Sequence, residues 1–297
     1  MLANASELIM KTIDPERGNS NALTFVRSVD HGILKGAILV AAAMVQFFGC
    51  TETACANEDD VRLTGTFGAD YSNGGYGTTR NTNVLLNLSS LNAQIGDFKL
   101  SASVPYMRIS GRGLVVFDAA GNPILINRRT SIVPNVRSGF GDLNLSATYT
   151  LPPAILDDFQ VELTARAKVP TASTRRRLST GVADFGFNVD VSRQIDFWRP
   201  FITVGYLISG QPSNYSLYNT VSIAIGTTIE LDKSLVAIIS YDQDSASAPQ
   251  VGASREILGS LSWILSDSTT LTGYGTAGLS SGSPSVGTGL IVSYTFN

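Results

Sequence analysis

Nine charged residues recur at alternate positions within otherwise apolar runs: Arg62, Asp70, Lys99, Asp142, Glu162, Arg166, Lys168, Asp184 and Asp190. Successive side chains of an extended chain point to opposite faces, so this spacing gathers carboxylates and cations on one face. Such a set suits ion pairing or contact with a polar solute. It does not suit paired-carboxylate catalysis, because Asp184 and Asp190 on one strand stand about 20 Å apart at ~3.3 Å per residue. The only histidine, His31, and both cysteines, Cys50 and Cys55, lie in the first fifth of the chain. The remainder therefore has no histidine for a zinc site or a serine–histidine pair, and no disulfide framework. Gly273-Tyr-Gly275-Thr-Ala-Gly278 matches the dinucleotide fingerprint in form. That motif works by turning a strand into a helix whose N-terminus meets pyrophosphate, and no helical pattern follows here. Small residues on a crowded wall account for it. The expectation is no enzyme, no cofactor and no metal.

The elements that carry these charges are long strands. Val61, Leu63, Gly65, Phe67, Ala69 and Tyr71 alternate with Arg62, Thr64, Thr66, Gly68, Asp70 and Ser72. Phe159, Val161, Leu163, Ala165, Ala167 and Val169 likewise oppose Gln160, Glu162, Thr164, Arg166 and Lys168. Similar runs cover 83–90, 98–106, 142–149, 184–192, 201–209, 220–231, 234–241, 257–265, 270–279 and 286–296, which makes twelve strands. Soluble strands run about five or six residues, whereas a strand that crosses an outer membrane needs about nine to eleven. Pro105 removes a ladder donor from its strand and predicts a bulge or bend.

The links alternate in size, short at 91–96, 152–158, 193–198, 232–233 and 266–269 and mostly longer between, the longest spanning about 110–140. Single-chain membrane barrels show this alternation when both termini are periplasmic. Tyr71, Tyr106, Tyr149, Tyr241, Tyr294 and Phe296 stand near strand ends, where amphipathic rings suit the headgroup level. A sheet in hydrocarbon leaves no backbone group unpaired, so long strands with one greasy face close into a barrel. The expected fold is all-β, an antiparallel transmembrane barrel of about twelve strands over 57–297. A secreted β-sandwich or β-solenoid also alternates, but needs neither the strand length nor the two loop sizes together.

Residues 1–56 read as an N-terminal extension and a signal peptide that is removed. Lys35 precedes the apolar run 36–49, too short for a comfortable helical span, and Ala54-Cys55-Ala56 supplies an A-x-A cleavage site at Ala54 and Ala56. An uncleaved anchor and lipidation at Cys50 are the alternatives. With only 15% charged residues and a net charge of −3, no nucleic-acid partner is expected.

Three segments carry a family likeness: Ser138-Gly139-Phe140-Gly141-Asp142-Leu143, the run FKLSASVP at 98–105, and Trp198-Arg199-Pro200-Phe201 leading to Gly205-Tyr206. In these the chain resembles the outer-membrane transporters of the meta-cleavage pathway of phenol degradation. The resemblance implies an outer-membrane barrel of a Gram-negative bacterium with uptake of aromatic compounds. The last strand, with Tyr294 and Phe296, is similar to the aromatic-terminated strand that outer-membrane proteins use as an assembly signal, although Asn297 follows it here. Partners implied are outer-membrane lipids, lipopolysaccharide, the barrel-assembly machinery and a small solute whose identity the sequence leaves open.

Two further expectations concern the loops. Pairing of neighbouring strands would bring Asp142, Lys168 and Asp184 together near the outer end, either to stiffen the barrel or to contact solute. In the longest loop, 114–117 and 123–126 flank a turn and predict a hairpin, with Arg112, Arg128, Arg129 and Arg137 beside it and Arg175-Arg176-Arg177 in the next loop. These cations serve a constriction, lipopolysaccharide phosphates or simple solvation. The inward charges are mixed in sign, which argues against strong ion selectivity. The leading reading is a channel for passive passage of small, aromatic or hydrophobic solutes. The alternative is a closed structural or adhesive barrel.

Overall fold

A computed structural model describes residues 61–296 apart from 77–80, 112–114, 118–122, 126–135, 153–157, 214–215 and 250. The leader with Ala54 and Ala56, together with His31, Cys50, Cys55, Arg112, Arg128, Arg129 and Asn297, lies outside the described residues.

Among the described residues fifteen strands follow in chain order: β1 Val61–Gly74, β2 Thr82–Ile95, β3 Phe98–Ser110, β4 Val115–Phe117, β5 Pro123–Leu125, β6 Val136–Phe140, β7 Leu143–Thr150, β8 Phe159–Val169, β9 Asp184–Arg193, β10 Trp198–Ile208, β11 Thr220–Asp232, β12 Leu235–Asp244, β13 Ser254–Ser266, β14 Thr269–Gly278 and β15 Val286–Phe296. Each long strand pairs antiparallel with its neighbour in sequence, and β1 also pairs with β15 from Leu63↔Phe296 to Asn73↔Val286. That last pairing closes the sheet. Because β6 and β7 both pair with β3, they act as one strand, and the barrel has twelve. The remaining two, β4 and β5, form a separate hairpin in the longest loop.

The break between β6 and β7 is a bulge opposite Pro105. Ser103 partners Asn144 and Tyr106 partners Phe140, so two residues of β3 face three of the other strand. Gly141 N–H donates to the Pro105 carbonyl at 2.7 Å. A Cβ on Gly141 would stand 2.7 Å from Pro105 Cγ, so the extra residue sits where only glycine fits. The proline predicted an irregularity in its own strand; the inserted residue falls on its partner.

The faces divide by chemistry. Phe67, Leu163, Phe187, Ile225, Leu261 and Leu290 are exposed hydrophobics on the outward face, and aromatic pairs collect at both ends, as with Tyr106–Phe140 at one and Phe98–Tyr149 and Tyr294–Phe296 at the other. Inward positions are rich in short hydroxyls: Thr66, Thr148, Thr164, Ser240, Ser262 and Thr272 are all buried. Several meet across strands, Thr148 with Thr164 at 2.9 Å and Ser262 with Thr272 at 2.8 Å. An apolar exterior around a hydroxyl-lined interior inverts the soluble pattern and suits a bilayer.

Candidate solute-contacting lumen

At the end with the longer loops, the wall of β7 to β9 is clamped. Lys168 Nζ lies 2.5 Å from Asp184 Oδ2 and 3.9 Å from Asp142 Oδ2, and donates to Thr180 Oγ1 at 3.1 Å. Asp142 Oδ1 accepts from the Ala172 amide at 2.9 Å and Oδ2 from Ser179 Oγ at 2.6 Å, while Asp184 Oδ1 accepts from the Gly210 amide at 2.9 Å. Lys168 and Asp184 are each 1% exposed. The three residues therefore meet, as their strand order suggested, and they tie the loops at 170–183 and 209–219 to the barrel wall.

The loop cations divide similarly. Arg137 is buried on the inward face of β6, and its guanidinium donates to the Arg177 carbonyl at 3.1 Å. It is a loop tie rather than a surface cation for phosphate, because its partner strand β3 turns it inward opposite Ile109.

Beside this clamp sits an apolar cluster of Val84 and Leu86 from β2, Met107 and Ile109 from β3, Tyr76 and the loop residue Leu178, joined by Ala172 and Val251. Burial pushes the Tyr76 phenol well up, so it stays protonated and shares a 2.9 Å hydrogen bond with Ser72 Oγ. β2 extends past the run read from sequence at its short-turn end, where 91–95, read as part of a link, pair with β1 and β3. Its inward side chains at the loop end are as apolar as its outward ones, so no alternation marks that half.

The other candidate residues spread around the barrel. Arg62 and Lys99 face the short-turn end, both opposite Gln94 of β2 in register. Glu162 and Asp190 are register partners on β8 and β9. Arg166 faces the side-chain amide of Asn188, and Asp190 accepts from Thr203 Oγ1. Asp70 stands on the opposite wall, where Tyr274 Oη donates to its Oδ2 at 2.7 Å.

That opposite wall holds residues the alternation did not flag. Ile238, Leu258, Tyr274 and Ile291 form a second inward apolar cluster with Phe201 packed against it. Two inward glycines make room for its rings: a Cβ on Gly289 would lie 2.5 Å from the Tyr274 ring and one on Gly226 2.6 Å from Phe201. Asp242 and Glu256 are register partners at its loop-end edge. The signal was present, since Glu256 and Asp242 continue the inward series of β13 and β12, but both lie beyond the runs read as strands.

Among known structures the chain is similar to the COG4313 outer membrane channel from Pseudomonas putida F1, at TM-score 0.62 and 12% identity, covering 83% of this chain and 100% of that one. The fold is the outer-membrane β-barrel. Weaker likenesses are to the NanC porin, at TM-score 0.49 and 11% identity over 77% of this chain and 98% of that one, and to the CymD monoaromatic hydrocarbon channel, at 0.43 and 11% over 89% and 93%. No protein-family model and no curated protein matches the chain.

Proposed function

We propose that this chain is an outer-membrane channel of a Gram-negative bacterium for passive passage of small solutes with aromatic or apolar bodies. One observation carries the reading: the inward face of a twelve-strand barrel is built largely of serine, threonine and glycine. Eight-strand barrels are about narrow enough for side chains to fill, and wider ones open when their inward residues are small. The Ile238–Leu258–Tyr274–Ile291 patch with Phe201 gives an apolar body a surface to slide along without a deep well. On this reading a leader cleaved after Ala56 delivers the chain to the periplasm, and the strand bearing Tyr294 and Phe296 presents it to the assembly machinery. The exposed Arg175 and Arg176 of the 170–183 loop face lipopolysaccharide.

The clamp at Lys168 favours a second reading, a closed structural barrel. Single-channel recording in planar bilayers separates the two. Discrete conductance steps, reduced by added phenolic solutes, are expected from the purified protein. Insertion shown by heat-modifiable gel mobility, without current, would replace the channel with the closed barrel.

A further inference from the structure

We infer that the wall of β12 to β15 with β1 holds a binding site for organic cations, solutes that join an ammonium group to an aromatic or apolar body. The inference deepens the channel reading by naming the class of solute.

The acids come first. Asp242 and Glu256 are direct register partners on the inward faces of β12 and β13, a placement that sets like charges side by side and destabilises the pair unless one takes up a proton or a cation joins them. Glu256 is 1% exposed; its Oε1 accepts from Ser254 Oγ at 3.1 Å, and its Oε2 has no hydrogen-bond partner. Asp242 Oδ2 accepts from Ser240 Oγ at 2.8 Å. The side-chain partners of both acids are neutral hydroxyls. Among the described residues no lysine or arginine stands on the inward face of β11 to β15.

An independent feature lies just below. Two residues along β13 from Glu256, about 7 Å at ~3.4 Å per residue, Leu258 opens the apolar cluster with Ile238, Tyr274 and Ile291. Within that cluster Ser260, 6% exposed and flanked in register by Ile238 and Tyr274, keeps an Oγ without a partner. A lone hydroxyl buried among apolar groups is costly unless something binds it. Tyr274 is fixed beside it by Asp70 and by the bare backbone of Gly289, so its ring is held flat to the wall.

Carboxylates above an apolar patch match an ammonium joined to a ring by a short chain. A divalent metal fits less well, since the described residues contain no group of three or more His, Cys, Asp or Glu able to hold one, and an apolar floor offers an inorganic ion nothing.

The test uses the full chain expressed in a Gram-negative host and extracted from its outer membrane. Phenethylammonium, phenethyl alcohol and 3-phenylpropionate share a ring and differ in charge. Titration calorimetry is expected to show the ammonium binding at least tenfold more tightly than the alcohol, with the carboxylate weakest. Glu256→Gln combined with Asp242→Asn should bring the ammonium to the level of the alcohol. Equal affinities for the three in the unaltered protein overturn the inference without recourse to any variant, as does a preference that the double variant leaves intact, or calcium binding with no advantage to the ammonium. Calorimetry reads binding alone, so absence of current defeats the channel and leaves this result to stand or fall separately.

Discussion

The walls of β7 to β9 and of β12 to β15 both point carboxylates inward and treat them in opposite ways. On the first, Asp142 and Asp184 receive a lysine, backbone amides and hydroxyls, and the outcome is a clamp that holds two loops. On the second, Asp242 and Glu256 receive serine hydroxyls and border an apolar floor. A fully paired buried charge is a structural device; a buried acid left with neutral partners is a place for something positive to come.

The largest expected effect breaks the clamp. Lys168→Met leaves two carboxylates buried without their cation and should cost about 3–5 kcal/mol of stability, read as a lower urea midpoint in lipid vesicles, and should make the 170–183 loop newly sensitive to protease. If stability and protection are unchanged, the clamp is incidental.

Leu261→Lys sharpens the contrast on the other wall by placing a cation on the lipid face of β13, one residue from the inward Ser260. A lysine near the bilayer midplane costs about 2–4 kcal/mol, measured by the same urea titration. A negligible change would mean that this face does not meet hydrocarbon.

Gly289→Ala should displace the Tyr274 ring and break its bond to Asp70, since the new Cβ would lie 2.5 Å from ring atoms. Overpacking of this kind costs about 1–3 kcal/mol, and tyrosine fluorescence should report the ring's new setting. An unaltered spectrum would show that Tyr274 is not held there.

The smallest effect belongs to Asp158→Asn, which removes an ion pair with Arg193 at the short-turn end, where the side chains are 68% and 44% exposed. Exposed pairs contribute about 0–1 kcal/mol. A larger loss in the unfolding midpoint would mean that location does not separate a clamp from an ornament.

Much of the fold was legible in the residues. Period-two alternation in β1, β8 and β9, strand lengths beyond soluble norms and the two sizes of link follow from local backbone geometry and from hydrocarbon's intolerance of unpaired backbone groups. The meeting of Asp142, Lys168 and Asp184 was also readable, because neighbours in sequence are neighbours in the sheet and register fixes which inward positions align. The full length of β2 was not: 91–95 read as part of a short link, and only their pairing with β1 on one side and β3 on the other carries the strand to Ile95.

What tertiary structure alone decided is how each inward charge is matched. Sequence sets the face on which Asp70, Glu256 or Arg137 stands. Only closure of β1 onto β15 brings Asp70 within reach of Tyr274 across Gly289, and only the infolding of the 170–183 loop gives Arg137 the Arg177 carbonyl and Lys168 the Thr180 hydroxyl. The reason is physical: which face a side chain takes depends on its own strand, whereas compensation of a buried charge depends on groups far along the chain that closure carries to it.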